Sequence, residues 1–87
     1  MSRGPDILAV ARAEALFTSE LGTGAHPSRV EATSAIRCAL RANGGVRGCV
    51  ARLADEYGDH PDTAVRRMRW ALTLVDDLFA HHAGSRP

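Results

Sequence analysis

Val46, Cys49, Val50, Leu53, Ala54 and Tyr57 recur at intervals of three and four residues. That spacing brings side chains onto one face of an α-helix, and a strand, with its period of two, cannot reproduce it. The same rhythm runs through the rest of the chain, with Gly and Pro as punctuation and no alternating strand pattern in competition. Four helices are expected, over about residues 5–21, 27–42, 46–57 and 61–82, between flexible polar tails at 1–4 and 84–87. A chain of 87 residues is too short for two independent cores, so the expected fold is all-α: a compact four-helix single domain with short helix–helix loops.

Capping chemistry places the boundaries. Pro5 suits a first turn and Gly22-Thr23-Gly24 ends the first helix near Leu21, with Ile7, Leu8, Val10, Ala11, Leu16 and Phe17 as its apolar side. The second begins near Pro27 and stops at Asn43-Gly44-Gly45. Val30, Ile36, Ala39 and Leu40 are expected inward, and Arg29, Glu31, Arg37 and Arg41 outward. Gly58 stands where a left-handed residue would close the third helix, and Asp59 where a side chain would cap the fourth, whose first turn holds Pro61.

The fourth helix has the widest apolar surface. At about 100° per residue, Ala64, Val65, Met68, Ala71, Leu72, Val75, Leu78 and Phe79 cover one arc, and Trp70 and Leu74 extend it past half the circumference. This helix is expected to be the core spine, with the third packed on it through Cys49, Leu53 and Tyr57. The ridge Trp70, Leu74 and Leu78 lies beside an arc already wide enough for a core. It is the candidate partner-binding surface, Trp being strongly enriched at interface hot spots.

Residues 50–71 have the outline of a helix-turn-helix, with Ala54 and Gly58 four apart ahead of an Arg-rich helix. In that arrangement Gly58 makes the turn, Thr63 and Arg66 open the recognition helix, and Arg67 and Arg69 touch phosphates or base edges. Against it, Val65 falls one residue later than the motif wants, and Asp59 and Asp62 put negative charge where phosphates would lie.

Other chemistry lacks its constellation. His26, His60, His81, His82, Cys38 and Cys49 supply metal-ligating atoms, yet no CxxC is present and the adjacent His81 and His82 diverge on a helix, so neither a metal nor a cofactor is expected. Ser19, Ser28 and Ser34 have no nucleophile elbow and no His at helical spacing. Gly44-Gly45-Val46-Arg47-Gly48 lacks the Lys and Ser/Thr of a phosphate-binding loop. No catalytic residue is therefore assigned, and enzymatic activity is not expected.

All 11 basic residues are Arg, set against 10 acids, and the net charge of +1 gives no long-range attraction for nucleic acid or anionic lipid. No apolar run approaches the ~20 residues that cross a bilayer and no leader segment opens the chain, so a cytoplasmic location with free thiols at Cys38 and Cys49 is expected, without membrane contact.

Leu16-Phe17-Thr18-Ser19, Ala35-Ile36-Arg37, Gly48-Cys49 and, above all, Glu56-Tyr57-Gly58-Asp59-His60-Pro61-Asp62-Thr63-Ala64 followed by Arg67-Met68-Arg69-Trp70-Ala71 resemble a group of small uncharacterised actinobacterial helical proteins. The resemblance covers about residues 16–71 and implies a bacterial cytosolic origin but no activity. The functional expectation is a non-enzymatic regulatory or adaptor module that acts by contact with another protein or with a second copy as a homodimer. Helix-turn-helix-like DNA binding is the alternative.

Overall fold

Each helix stops where its unpaired backbone groups find other partners, and those partners set boundaries that differ in places from the sequence reading. The computed structural model describes residues 6–79. Its helices are α1 (Ile7–Phe17), α2 (Arg29–Asn43), α3 (Val46–Asp59) and α4 (Pro61–Phe79), with no strand among the described residues. The expected all-α, four-helix single domain is the fold of the chain. Pro5, the two tails and residues 80–82 lie outside the described residues.

The N-terminus of α1 is capped by Asp6, whose carboxylate accepts from the N–H groups of Leu8 (3.0 Å) and Ala9 (3.3 Å). At its other end α1 stops at Phe17, four residues before the expected Leu21. There Thr18 and Ser19 turn their hydroxyls back onto the carbonyls of Ala15 (3.0 Å) and Leu16 (2.7 Å), an alternative to further helical bonds. Pro27 is not the start of α2 either. Ser28 is its N-cap, in a reciprocal capping box with Glu31. The other end of α2 meets expectation, closed by Gly44 in the left-handed region at φ 76°.

Gly58 does not close α3. It is helical with no positive φ, and α3 runs on through Asp59, so Asp59 is the last residue of α3 rather than the cap of α4. His60 alone separates the two helices, and Pro61 opens α4 as expected, with the first bond running from Ala64 N–H to the His60 carbonyl (2.9 Å).

Packing corrects the expected spine. α1 and α3, but not α4, each touch all three other helices, α1 most extensively through α4; α3 does pack on α4, while α2 and α4 barely meet. One buried cluster joins Ala13 and Leu16 of α1 and Ala32 of α2 to Ala71, Leu74, Val75 and Phe79 of α4. A second joins Ala15, Ala39 and Cys49, so Cys49 secures α3 to α1 and α2 rather than to α4. Tyr57 likewise stacks on Phe17 of α1, with ring centroids 5.9 Å apart.

The inward faces match the expected ones in part: Leu16 and Phe17 are buried on α1, Ile36, Ala39 and Leu40 pack on the core from α2, and Arg29, Glu31, Arg37 and Arg41 are exposed. Ala13, Ala15, Leu16 and Phe17 are the buried side of α1, whereas Ile7, Leu8 and Val10 are exposed; on α2 the buried pair is Ala32 and Ala39, and Val30 is 78% exposed. On α4 the arc has turned toward Leu74, which is buried, and away from Val65 and Leu72, which are exposed. Only about 20° separates the buried Phe79 from the exposed Leu72 around the helix. A three-helix environment covers less than the full arc that periodicity marks out.

Candidate functional site

Trp70, Leu74 and Leu78 project from α4 onto the chain's own core. Leu74 belongs to the larger cluster, and Trp70 and Leu78 pack on it half-buried. The indole is oriented by its Nε1–H, which donates to the Ala25 carbonyl at 3.0 Å. Beside it Trp70, Leu74, Ala25, His26, Arg69 and Thr73 line a solvent-open dimple of about 300 Å³. Trp70 therefore ties the α1–α2 connection to α4, while Leu74 and Leu78 pack on the core, Trp70 and Leu78 remaining partly open to solvent.

Arg67 explains why that connection has a fixed path. Its Nε donates to the Phe17 carbonyl (2.6 Å), Nη2 to the carbonyls of Leu16 (3.3 Å) and Ser19 (3.0 Å), and Nη1 to Thr23 Oγ1 (2.9 Å). The last turn of α1 leaves carbonyls without helical partners, and a guanidinium from α4 satisfies them. The same group lies over the rings of Phe17 (5.8 Å) and Trp70 (4.9 Å). Burial lowers its pKa from the ordinary value, and the nearby Glu56 carboxylate acts in the opposite direction.

This role had a sequence signal. Arg67 lies on the apolar arc of α4, one turn before Ala71 and two before Leu74, where a cation needs a dedicated set of acceptors. Of the four residues expected at DNA, Arg67 is half-buried with its guanidinium bonded to residues 16–23, while Thr63, Arg66 and Arg69 are exposed. The turn expected at Gly58 is absent because α3 continues through it.

The arginines do not converge on one face. Arg29, Arg37 and Arg41 line a groove of about 380 Å³ along α2 with Val30, Thr33 and Ser34; Arg69 belongs to the Trp70 dimple, and Arg66 lines neither. Arg29 and Arg12 both reach over the Phe79 ring, at 5.3 and 4.4 Å. A further open cleft of about 520 Å³ lies between residues 18–21 and α2, with the exposed Cys38 on its wall and Arg52 at its rim. Cys49 is buried apart from it, accepting from the Thr18 hydroxyl at 3.4 Å.

Among the described residues no group of three or more His, Cys, Asp and Glu side chains is placed to hold a metal ion, and no helix is long and apolar enough to cross a membrane. His81 and His82 lie outside the described residues. Compared with known family models, with curated proteins and with solved structures, the chain finds no match.

Proposed function

We propose that this chain is a non-enzymatic regulatory or adaptor module of the bacterial cytoplasm that works by protein contact. One observation carries the reading. Among the described residues, five large apolar side chains are buried (Leu16, Phe17, Leu74, Val75 and Phe79), the rest of the buried set being Ala and Cys, whereas eight large aliphatic side chains are exposed. Isolated exposed aliphatics are ordinary, but eight of them on so small a domain leave apolar side chains at the surface that a partner can cover. Covering a Val or Leu side chain contributes about 1.5 to 3 kcal/mol, so a partner that covers several gains a substantial driving force.

The surfaces also differ from the enclosed pocket of a small-molecule site: the cleft where Arg52, Glu56 and Arg67 meet, about 250 Å³, is open to solvent, as is the one beside Cys38. For DNA binding, the exposed Arg66 follows Asp62 by one helical turn, and the break between α3 and α4 falls at His60 rather than at Gly58.

The test compares the intact chain as bait with a Val30→Ser, Val65→Ser, Leu72→Ser variant in affinity capture from a bacterial lysate. A specific protein, this chain included, that is held by the wild type and lost by the variant is the expected result. Capture indifferent to the three substitutions, or saturable DNA binding by fluorescence anisotropy at low salt, overturns it.

A further inference from the structure

Of the four helices, α2 alone carries more basic than acidic side chains, with Arg29, Arg37 and Arg41 against Glu31. The Glu31 carboxylate is engaged at the start of the helix, where it accepts the Ser28 N–H at 2.8 Å in the capping box. The three arginines line the groove of about 380 Å³ with Val30, Thr33 and Ser34, and no carboxylate contributes to its wall. Val30, Ser34, Arg37 and Arg41 are all exposed. At about 100° per residue they fall within about 60° of the helix circumference.

Within the single chain this arrangement is unfavourable. Arg37 and Arg41 stand one turn apart, where like charges repel. Arg29 opens the helix at the positive pole of its dipole. Arg12 of α1 reaches over the same Phe79 ring as Arg29, at 4.4 and 5.3 Å, so two guanidiniums gather at that end of the groove. A partner of negative charge relieves each of these.

We infer that the α2 groove takes an acidic segment of a partner protein, with carboxylates at helical spacing and an apolar side chain among them. Length argues against one small anion: from Arg29 to Arg41 the helix axis rises about 18 Å, so no single phosphate reaches both. Val30, 78% exposed within the basic strip, argues against a sugar–phosphate backbone, which has little apolar surface to lay on it. The net charge of +1 for the whole chain argues the same way, since it supplies no long-range field for nucleic acid. Carboxylates instead pair with guanidiniums through two N–H groups at a time, and a protein segment can set an apolar residue on Val30 between them.

The inference rests on the protein-contact reading and states the chemistry of the partner. The experiment is fluorescence anisotropy at low salt on the full chain, with a labelled helix-forming peptide of Glu, Ala and Leu in which the Glu residues stand four apart. Saturable binding of this peptide is expected, and none of the same peptide with Gln for Glu. Arg37→Gln and Arg41→Gln should each weaken binding about threefold and the double variant about tenfold. Val30→Ser should weaken it without altering its salt dependence. Arg66→Gln, exposed on α4 outside the groove, should leave it unchanged. Because Arg37→Gln removes a repulsion, the midpoint of thermal unfolding should hold or rise in that variant, which separates lost binding from lost fold.

A wild type that does not bind the Glu peptide overturns the proposal. So does equal weakening by Arg66→Gln, which marks unspecific attraction, or tighter binding of a DNA strand or of inorganic phosphate than of the peptide. A lowered unfolding midpoint for Arg37→Gln shows that the arginine serves the fold and overturns it as well. These results separate from failure of the broader reading. If a protein captured by the wild-type bait is still captured by the Arg37→Gln, Arg41→Gln variant, the acidic-segment inference falls and the protein-contact module stands. If the bait captures nothing, the module falls too.

Discussion

The α1–α4 side and the α2–α3 corner of this molecule reach close packing by opposite means. Along α1 and α4, Leu16, Leu74 and Phe79 pack together with the small Ala13 and Ala71, and the two helices are fastened by directed bonds from Arg67 and Trp70 to carbonyls 45 to 51 residues away in sequence. At the α2–α3 corner the buried residues are Ala15, Ala39 and Cys49, and the backbones approach closely. A Cβ built on Gly48 would overlap the Asn43 carbonyl oxygen. One side depends on what its side chains reach, and the other on the absence of a side chain. The first should tolerate changes of shape and fail when a polar partner is lost; the second should fail when anything is added.

The strongest way to break that contrast is Gly48→Ala. Helix propensity alone would stabilise the variant by about 1 kcal/mol, whereas the overlap with Asn43 is backbone against Cβ and should instead destabilise it by about 2 to 3 kcal/mol. Urea denaturation fixes the sign, and a stabilised variant would mean that the corner is not closely packed. On the other side, Arg67→Met keeps the stem and removes the donors, leaving the carbonyls of Phe17 and Ser19 to find water while Leu16 keeps its bonds from Ser19. A loss of about 2 kcal/mol is expected, with faster amide exchange in residues 16–23. Arg67→Lys should recover only a minor part, because an ammonium cannot span acceptors that a planar fork reaches together. Full recovery would show that charge, rather than the fork, holds the segment.

The smallest effect sharpens the same comparison at a control position. Gly58 is helical and a Cβ there would meet nothing within 4 Å. Gly58→Ala should therefore stabilise by about 0.5 kcal/mol in the same denaturation series. A destabilised variant would mean that Gly58 is a turn after all and would revive the helix-turn-helix outline.

Periodicity made the helices legible because it is a local property: intervals of three and four at Val46–Tyr57 and Ala64–Phe79 mark a helix whatever surrounds it. The Gly44 cap was legible for the same reason, since a left-handed terminus favours Gly irrespective of context. Gly58 misled the reading because a glycine in a continuing helix and a glycine at its end are alike in sequence; the chain decides between them by whether the next turn has somewhere to pack. The candidate surface was legible only in part. Trp70, Leu74 and Leu78 stood out as apolar, but Trp70 is tied to Ala25 by a bond across 45 residues that no local pattern encodes.

The sequence by itself determined that this is a helical protein, how many helices it has, and roughly which half of each is apolar, because those follow from side-chain spacing and backbone capping within a few residues. Only the tertiary structure decided which part of each apolar arc is covered. It made α1 the hub, drew Arg67 inward to cap the end of α1, and left Val30, Val65 and Leu72 facing water. The physical reason is that burial is a relation between surfaces: an arc wider than its neighbours can cover must leave one edge exposed, and which edge depends on contacts distant in sequence.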